Sequence, residues 1–214
     1  MFFRIDLKVF LFLIIFYFTR QIEIYLIIMI FALLHELAHL FVGIMLGLKI
    51  KGITIMPVGF SIEFNINQNA YNKKILNSNM MEVKKLIIAL AGPIFNIIVS
   101  IIVGFIKTKN NFIMEIMYSN ILIAIFNLLP IYPLDGGRIL KSLFCLFINR
   151  KKSIIYTNKI SNLALFFVTF IFSILIYDLK NISIIFILIY LWYTVLKENK
   201  VYKMKIKLYE LLEN

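Results

Sequence analysis

The chain has 214 residues, of which 62% are hydrophobic and 16% charged, and its mean hydropathy is +0.92. Soluble domains average roughly 45–50% apolar and about 25% charged residues, so this composition excludes a disordered chain and argues against a soluble globule. The net charge of +12 does not point to nucleic acid, because the Lys and Arg residues fall between apolar segments, as topology determinants do. The lone Cys145 excludes an internal disulfide and a cysteine-built metal site, and reads as a packing residue.

The pattern predicts an all-α polytopic membrane protein with about six transmembrane helices. Arg4, Asp6 and Lys8 precede the apolar run 9–18, which no small-residue cleavage site follows, so it reads as a retained and short first span. The second apolar segment covers 22–48. Residues 49–67 then alternate, with Phe60, Ile62, Phe64 and Ile66 between Ser61, Glu63, Asn65 and Asn67 after a Pro57-Val58-Gly59 turn, which predicts a small β-hairpin. A polar connector without apolar periodicity is expected over 68–85. The third span covers 86–106, and the fourth runs from 112 until Pro130 and Pro133 break it. Two more follow, at 162–177 and 182–196. With the amino terminus in the cytoplasm, the segments 1–8, 47–85, 138–159 and 197–214 hold 19 of the 23 Lys and Arg residues, as the positive-inside rule requires. Both termini are therefore expected in the cytoplasm of a bacterial cell. The domain plan is a six-span membrane domain over 1–197 and a short basic cytoplasmic tail over 198–214.

The second span contains His35-Glu36-Leu37-Ala38-His39. Residues four apart share a helix face, so the two imidazoles can bind one Zn²⁺ ion while Glu36, beside them, acts as general base on a bound water. The chain has only two histidines, and their falling into this pattern by chance is about a one in three thousand event. Ionisable groups inside lipid are costly unless paired or metal-bound, which makes them functional by default. The bland alternative is a polar cluster that packs helices.

A catalytic zinc site usually has three protein ligands and a water. Position 45 is Met45 and position 42 is Val42, which excludes the soluble metzincin pattern. The remaining choices are the carboxylates Glu63, Glu115, Asp135 and Asp178. Asp135 is placed best, because Asn127-Leu128-Leu129-Pro130-Ile131-Tyr132-Pro133-Leu134-Asp135-Gly136-Gly137 interrupts an apolar helix. Irregular backbone at membrane depth survives only where protein buries it or water reaches it. The bland alternative is an Asp135–Arg138 ion pair in a loop. Asn96, after Ala91-Gly92-Pro93, reads as interhelical glue or a substrate contact, and Asn127 as a group that holds a substrate carbonyl or satisfies freed backbone.

These three patterns together resemble the site-2 protease family of intramembrane zinc metalloproteases: HExxH at 35–39, glycine-proline-asparagine at 92–96, and NxxPxxxxDG from Asn127 to Gly136. The resemblance implies that His35, His39 and Asp135 bind one Zn²⁺ per chain, that Glu36 is catalytic, and that Asn127 lies near the substrate, with Asn96 a further candidate substrate contact. The plan with HExxH in the second span looks most like the branch of stage IV sporulation protein FB, without its CBS domain and without a PDZ-like insert. The resemblance implies a membrane-tethered protein substrate, in the cell membrane or the membrane around a forespore. The sidedness of Lys and Arg places the site toward the cytoplasm, and the little soluble mass leaves regulation to membrane-protein partners. Two other classes stand beside this reading. A metal or proton transporter would also place His and carboxylate residues in the membrane but is expected to show repeated halves, and none is visible. A non-catalytic scaffold would not need the Glu of HExxH.

Overall fold

The computed structural model describes residues 2–5, 8–56, 59–65, 75–106, 110–180 and 183–213. Its elements in chain order are β1 (Phe2–Ile5), α1 (Lys8–Phe18), α2 (Ile22–Met45), β2 (Lys49–Met56), β3 (Gly59–Asn65), α3 (Ile75–Phe105), α4 (Asn111–Leu128), α5 (Asp135–Phe147), α6 (Arg150–Leu179) and α7 (Ser183–Glu213). The chain divides into two compact units, residues 1–127 and 128–214.

Among the described residues, four helices are long and apolar enough to cross a membrane: α2, α3 from Asn79, α4 and α6. Large apolar side chains on them face outward, among them Phe41, Ile101, Leu122 and Phe167. In water such surfaces would aggregate, whereas lipid solvates them. The protein is an integral membrane protein. Helix α1 has 11 residues and reaches about 16 Å, roughly half the hydrocarbon thickness. The first 14 residues of α7 carry no charge and are mostly apolar, up to Lys197, Glu198 and Lys200.

In the first unit α2 packs against α3 and β3. The core holds Phe16, Tyr25, Ile27, Ala32, Ala89, Ile123 and Ala124, and the rings of Phe16 and Tyr25 stack with centroids 4.6 Å apart. A three-stranded sheet has the order β1-β2-β3. Strand β2 pairs with β3 antiparallel, Ile53 opposite Ile62 and Ile55 opposite Phe60, with a register shift between Ile50 and Gly52. Strand β1 joins β2 in parallel, Phe2 opposite Gly52, a long-range pairing that the amino-terminal sequence does not announce. The Pro57-Val58 part of the expected turn and residues 66–67 lie outside the described residues.

The connector expected over 68–85 is corrected in its second half. Residues 68–74 lie outside the described residues, but helix α3 already begins at Ile75. Its polar start is used in pairing: Lys85 Nζ meets Glu82 Oε1 at 2.7 Å. Lys84 Nζ donates to Leu46 O at 2.8 Å, satisfying a carbonyl just beyond the end of α2.

In the second unit α5 and α7 pack against α6. Ile131, Leu165, Val168, Leu191 and Val195 form its apolar core. Ser153, Thr157 and Ser161 are buried on α6 at four-residue steps, so they share one face. Residues 138–159, read from the sequence as a basic segment between spans, form most of α5 and the first turns of α6.

Candidate metal centre

Helix α2 presents His35 and His39 one turn apart, and both are buried, His35 at 2% exposure. Their Nε2 atoms stand 3.1 Å apart, and the rings are nearly perpendicular. Each Nδ1 is held from α3. His35 Nδ1–H donates to Asn96 Oδ1 at 2.6 Å, and His39 Nδ1–H donates to the carbonyl of Ile88 at 2.6 Å. Pro93 lacks an N–H, so the α3 ladder is open at Ala89, one residue from the carbonyl that His39 uses.

Both Nδ1 atoms act as donors, so a neutral imidazole at either position carries its lone pair on Nε2. At 3.1 Å the two Nε2 atoms are close enough to share one cation. Two nitrogens on a tetrahedral zinc ion at 2.0–2.1 Å stand about 3.3 Å apart, close to the observed spacing. The same place on α3 is kept clear by Gly92. A Cβ there would sit 2.5 Å from the Nε2 atoms of both histidines, so the glycine lets the backbone approach the pair. Ile88, Gly92 and Asn96 follow at four-residue steps, and one face of α3 serves both imidazoles.

Asn96 is fully buried at 0% exposure. Its amide bonds to His35 through Oδ1 and to Asn120 Oδ1 through Nδ2, the latter at 2.9 Å. Asn120, also at 0% exposure, donates from its own Nδ2 to Ile116 O at 2.9 Å. The sequence reading overlooked Asn120. The available signal was an uncharged amide in the middle of an apolar helix, which lipid tolerates only when it is paired. Glu36 is half-buried on α2, one position beyond His35. Asn127, half-buried in the last turn of α4, donates one amide hydrogen to Ile123 O at 3.1 Å.

In the second unit Asp135 is the first residue of α5, with 4% exposure. Helix N-termini favour negative charge. Arg138 Nη1 lies 3.6 Å from Asp135 Oδ1, so the expected ion pair is present alongside the burial. The preceding segment folds tightly over this end of the helix. A Cβ at Gly136 would overlap the carbonyls of Leu128 and Leu129, and one at Gly137 would overlap the backbone of Ile131 and Tyr132. Helix α6 braces this segment through Tyr132 N–H, which donates to Ser161 Oγ at 2.9 Å, and α5 itself through Ser153 Oγ, which donates to Lys141 O at 3.0 Å. Cys145 Sγ contacts Ser153 Oγ at 3.0 Å. Of the other carboxylates considered, Asp178 is exposed near the end of α6, and Glu115 is half-buried in α4. Glu63 lies on β3 opposite Gly52. Each unit thus holds buried groups of metal-binding chemistry, the imidazoles of His35 and His39 in the first and the carboxyl of Asp135 in the second.

A family model described as peptidase family M50 matches residues 23–111 and 105–174. Among curated proteins the chain is similar to a zinc metalloprotease of Methanocaldococcus jannaschii, 28% identical over 171 residues, covering 74% of this chain and 43% of that protein. It is also similar to stage IV sporulation protein FB of Bacillus subtilis, 26% identical over 130 residues, covering 59% of this chain and 42% of that protein. The chain thus spans less than half the length of these curated relatives. Among solved structures it is similar to a site-2 protease from Methanocaldococcus jannaschii, with a TM-score of 0.63 and 22% identity over 91% of this chain and 88% of that one. That likeness shows a shared fold.

Proposed function

This chain belongs to peptidase family M50, and we propose that it is an intramembrane zinc metalloprotease that hydrolyses a peptide bond in or near a transmembrane segment of a membrane-tethered protein. The observation that carries the reading is the histidine pair of the HExxH helix, its Nε2 atoms 3.1 Å apart and both Nδ1–H groups committed to α3. Asp135 is the proposed third ligand, a buried carboxylate at a helix start.

When bound, zinc acidifies a bound water and polarises the scissile carbonyl. Glu36, next to His35 on α2, would serve as general base toward the attacking water and as general acid toward the leaving amine. The Nδ1–H bonds of His35 and His39 to Asn96 and Ile88 favour, in the neutral ring, the tautomer whose Nε2 lone pair can bind the metal. Asn127 keeps a second amide hydrogen with which to hold the substrate carbonyl. A helical substrate hides its peptide bonds, so it must unwind before cleavage. Strand β3, at an edge of the sheet among the described residues, offers a template on which an unwound segment can add as a strand.

The finer reading has six spans, with α1 and the apolar start of α7 added to the four long apolar helices, and both termini in the cytoplasm. The sidedness of Lys and Arg supports it. Similarity to stage IV sporulation protein FB supports a tethered transcription factor, such as a pro-sigma factor, as substrate during sporulation.

The test is reconstitution of the full chain in liposomes with single-span substrates. Cleavage that is lost on chelation and restored by zinc supports the reading. Zinc binding in Asp135→Ala as tight as in the wild type would remove Asp135 from the ligand set.

A further inference from the structure

Helix α4 carries Asn120 fully buried in an apolar helix, and the chemistry above makes no use of it. We propose that Asn120 is a positioning residue which, acting through Asn96, locks His35 in the tautomer that carries its lone pair on Nε2, where it can bind a metal. The proposal rests on the zinc-protease reading for its purpose but not for its geometry.

The direction of the relay is fixed at one end. The Ile116 carbonyl can only accept, so the Asn120 atom facing it at 2.9 Å is Nδ2. Its Oδ1 therefore faces α3 and accepts from Asn96 Nδ2 at 2.9 Å. That orients the second amide in turn: Asn96 Oδ1 faces His35 Nδ1 at 2.6 Å, and an acceptor there demands that Nδ1 carry the hydrogen. An Asn amide can otherwise rotate by 180° and exchange donor for acceptor. Alone, Asn96 could offer His35 either its oxygen or its NH₂, and with the NH₂ the imidazole would hold its hydrogen on Nε2, where it blocks metal binding. Asn120 removes that choice. His39 needs no relay, since it meets the Ile88 carbonyl directly at 2.6 Å. The two histidines thus reach the same tautomer by different routes, and His39 is a built-in control.

A role as mere interhelical glue between α3 and α4 predicts something else: loss of Asn120 would lower stability and leave the His35 tautomer alone. The experiment uses the full chain in nanodiscs with ¹⁵N-labelled histidine, metal-free, about two units above the reference imidazole pKa of about 6.5. In the wild type both histidines are expected to show Nδ1–H shifts. In Asn120→Leu, His35 moves toward Nε2–H while His39 keeps its shifts. Asn120→Asp restores the wild-type pattern, because an ionised carboxylate can only accept and so still takes the hydrogen of Asn96 Nδ2. Zinc affinity, measured with zinc alone against a chromophoric chelator, falls about tenfold in Asn120→Leu and recovers in Asn120→Asp.

An unchanged His35 tautomer in folded Asn120→Leu overturns the proposal. If that variant does not fold, the wild type and Asn120→Asp decide: Nε2–H at His35 in either one overturns it. The tautomers are read without metal, so a wild type that holds the Nδ1–H form but neither binds zinc nor cleaves substrate would sink the protease reading and leave the relay standing.

Discussion

His35 and Asn96 are joined by a hydrogen bond of 2.6 Å between two adjacent helices, with both residues buried. The contact ties the HExxH face of α2 to the glycine-proline-asparagine face of α3, so two sequence patterns 61 residues apart form one device.

Replacing Asn96 with Leu should leave the His35 Nδ1–H without an acceptor in a dry place, at a cost of about 1–3 kcal/mol. Zinc affinity should fall roughly 10–100-fold. Asn96→Asp keeps the acceptor and should retain most of the affinity, measured by chelator competition.

Gly92→Ala places a methyl group 2.5 Å from both Nε2 atoms. Helix α3 must retreat or the imidazoles must turn, an overpacking strain of about 1–3 kcal/mol. The expected result is a helical, membrane-inserted protein with at least about tenfold weaker zinc binding, read by metal content after purification.

Ser161→Ala removes the acceptor of the Tyr132 N–H, which should cost about 1–3 kcal/mol locally. Hydrogen exchange should quicken in the segment 129–135, and activity should drop while zinc-free His35 and His39 are unaffected. Gly136→Ala, whose Cβ would overlap the Leu128 and Leu129 carbonyls, should disturb the same segment more strongly.

Lys84→Met serves as a contrast. It loses one donor to Leu46 O, a partly buried contact worth roughly 0.5–1.5 kcal/mol, and should leave zinc affinity unchanged.

The part of the site that the sequence discloses is the part written in local spacing. His35 and His39 share a face because the helix repeat puts residues four apart together, and Pro130, Pro133, Gly136 and Gly137 announce a break in the helix. Gly92 and Pro93 were legible as a close approach, though not what they approach. What stayed hidden depends on contacts distant in the chain. Asn120 has no motif around it and acquires meaning only from Asn96 on another helix. The pairing of β1 with β2 joins residues about 50 positions apart, and no periodicity in four residues can reveal it. The early start of α3 was masked by polar residues whose helical role is pairing, as Glu82 and Lys85 show. Helix α5 was missed because its first residues, Asp135, Gly136 and Gly137, are poor helix formers in isolation, and the segment packed over them holds them in place.

The most direct test of the account compares wild type with Glu36→Gln in the same liposomes, measuring zinc content and cleavage of a single-span substrate together. Gln keeps the shape of the side chain but cannot take a proton from water. The account predicts one zinc per chain in both proteins and cleavage in the wild type alone, with the variant reduced by at least about 100-fold. Undiminished proteolysis in Glu36→Gln would contradict it.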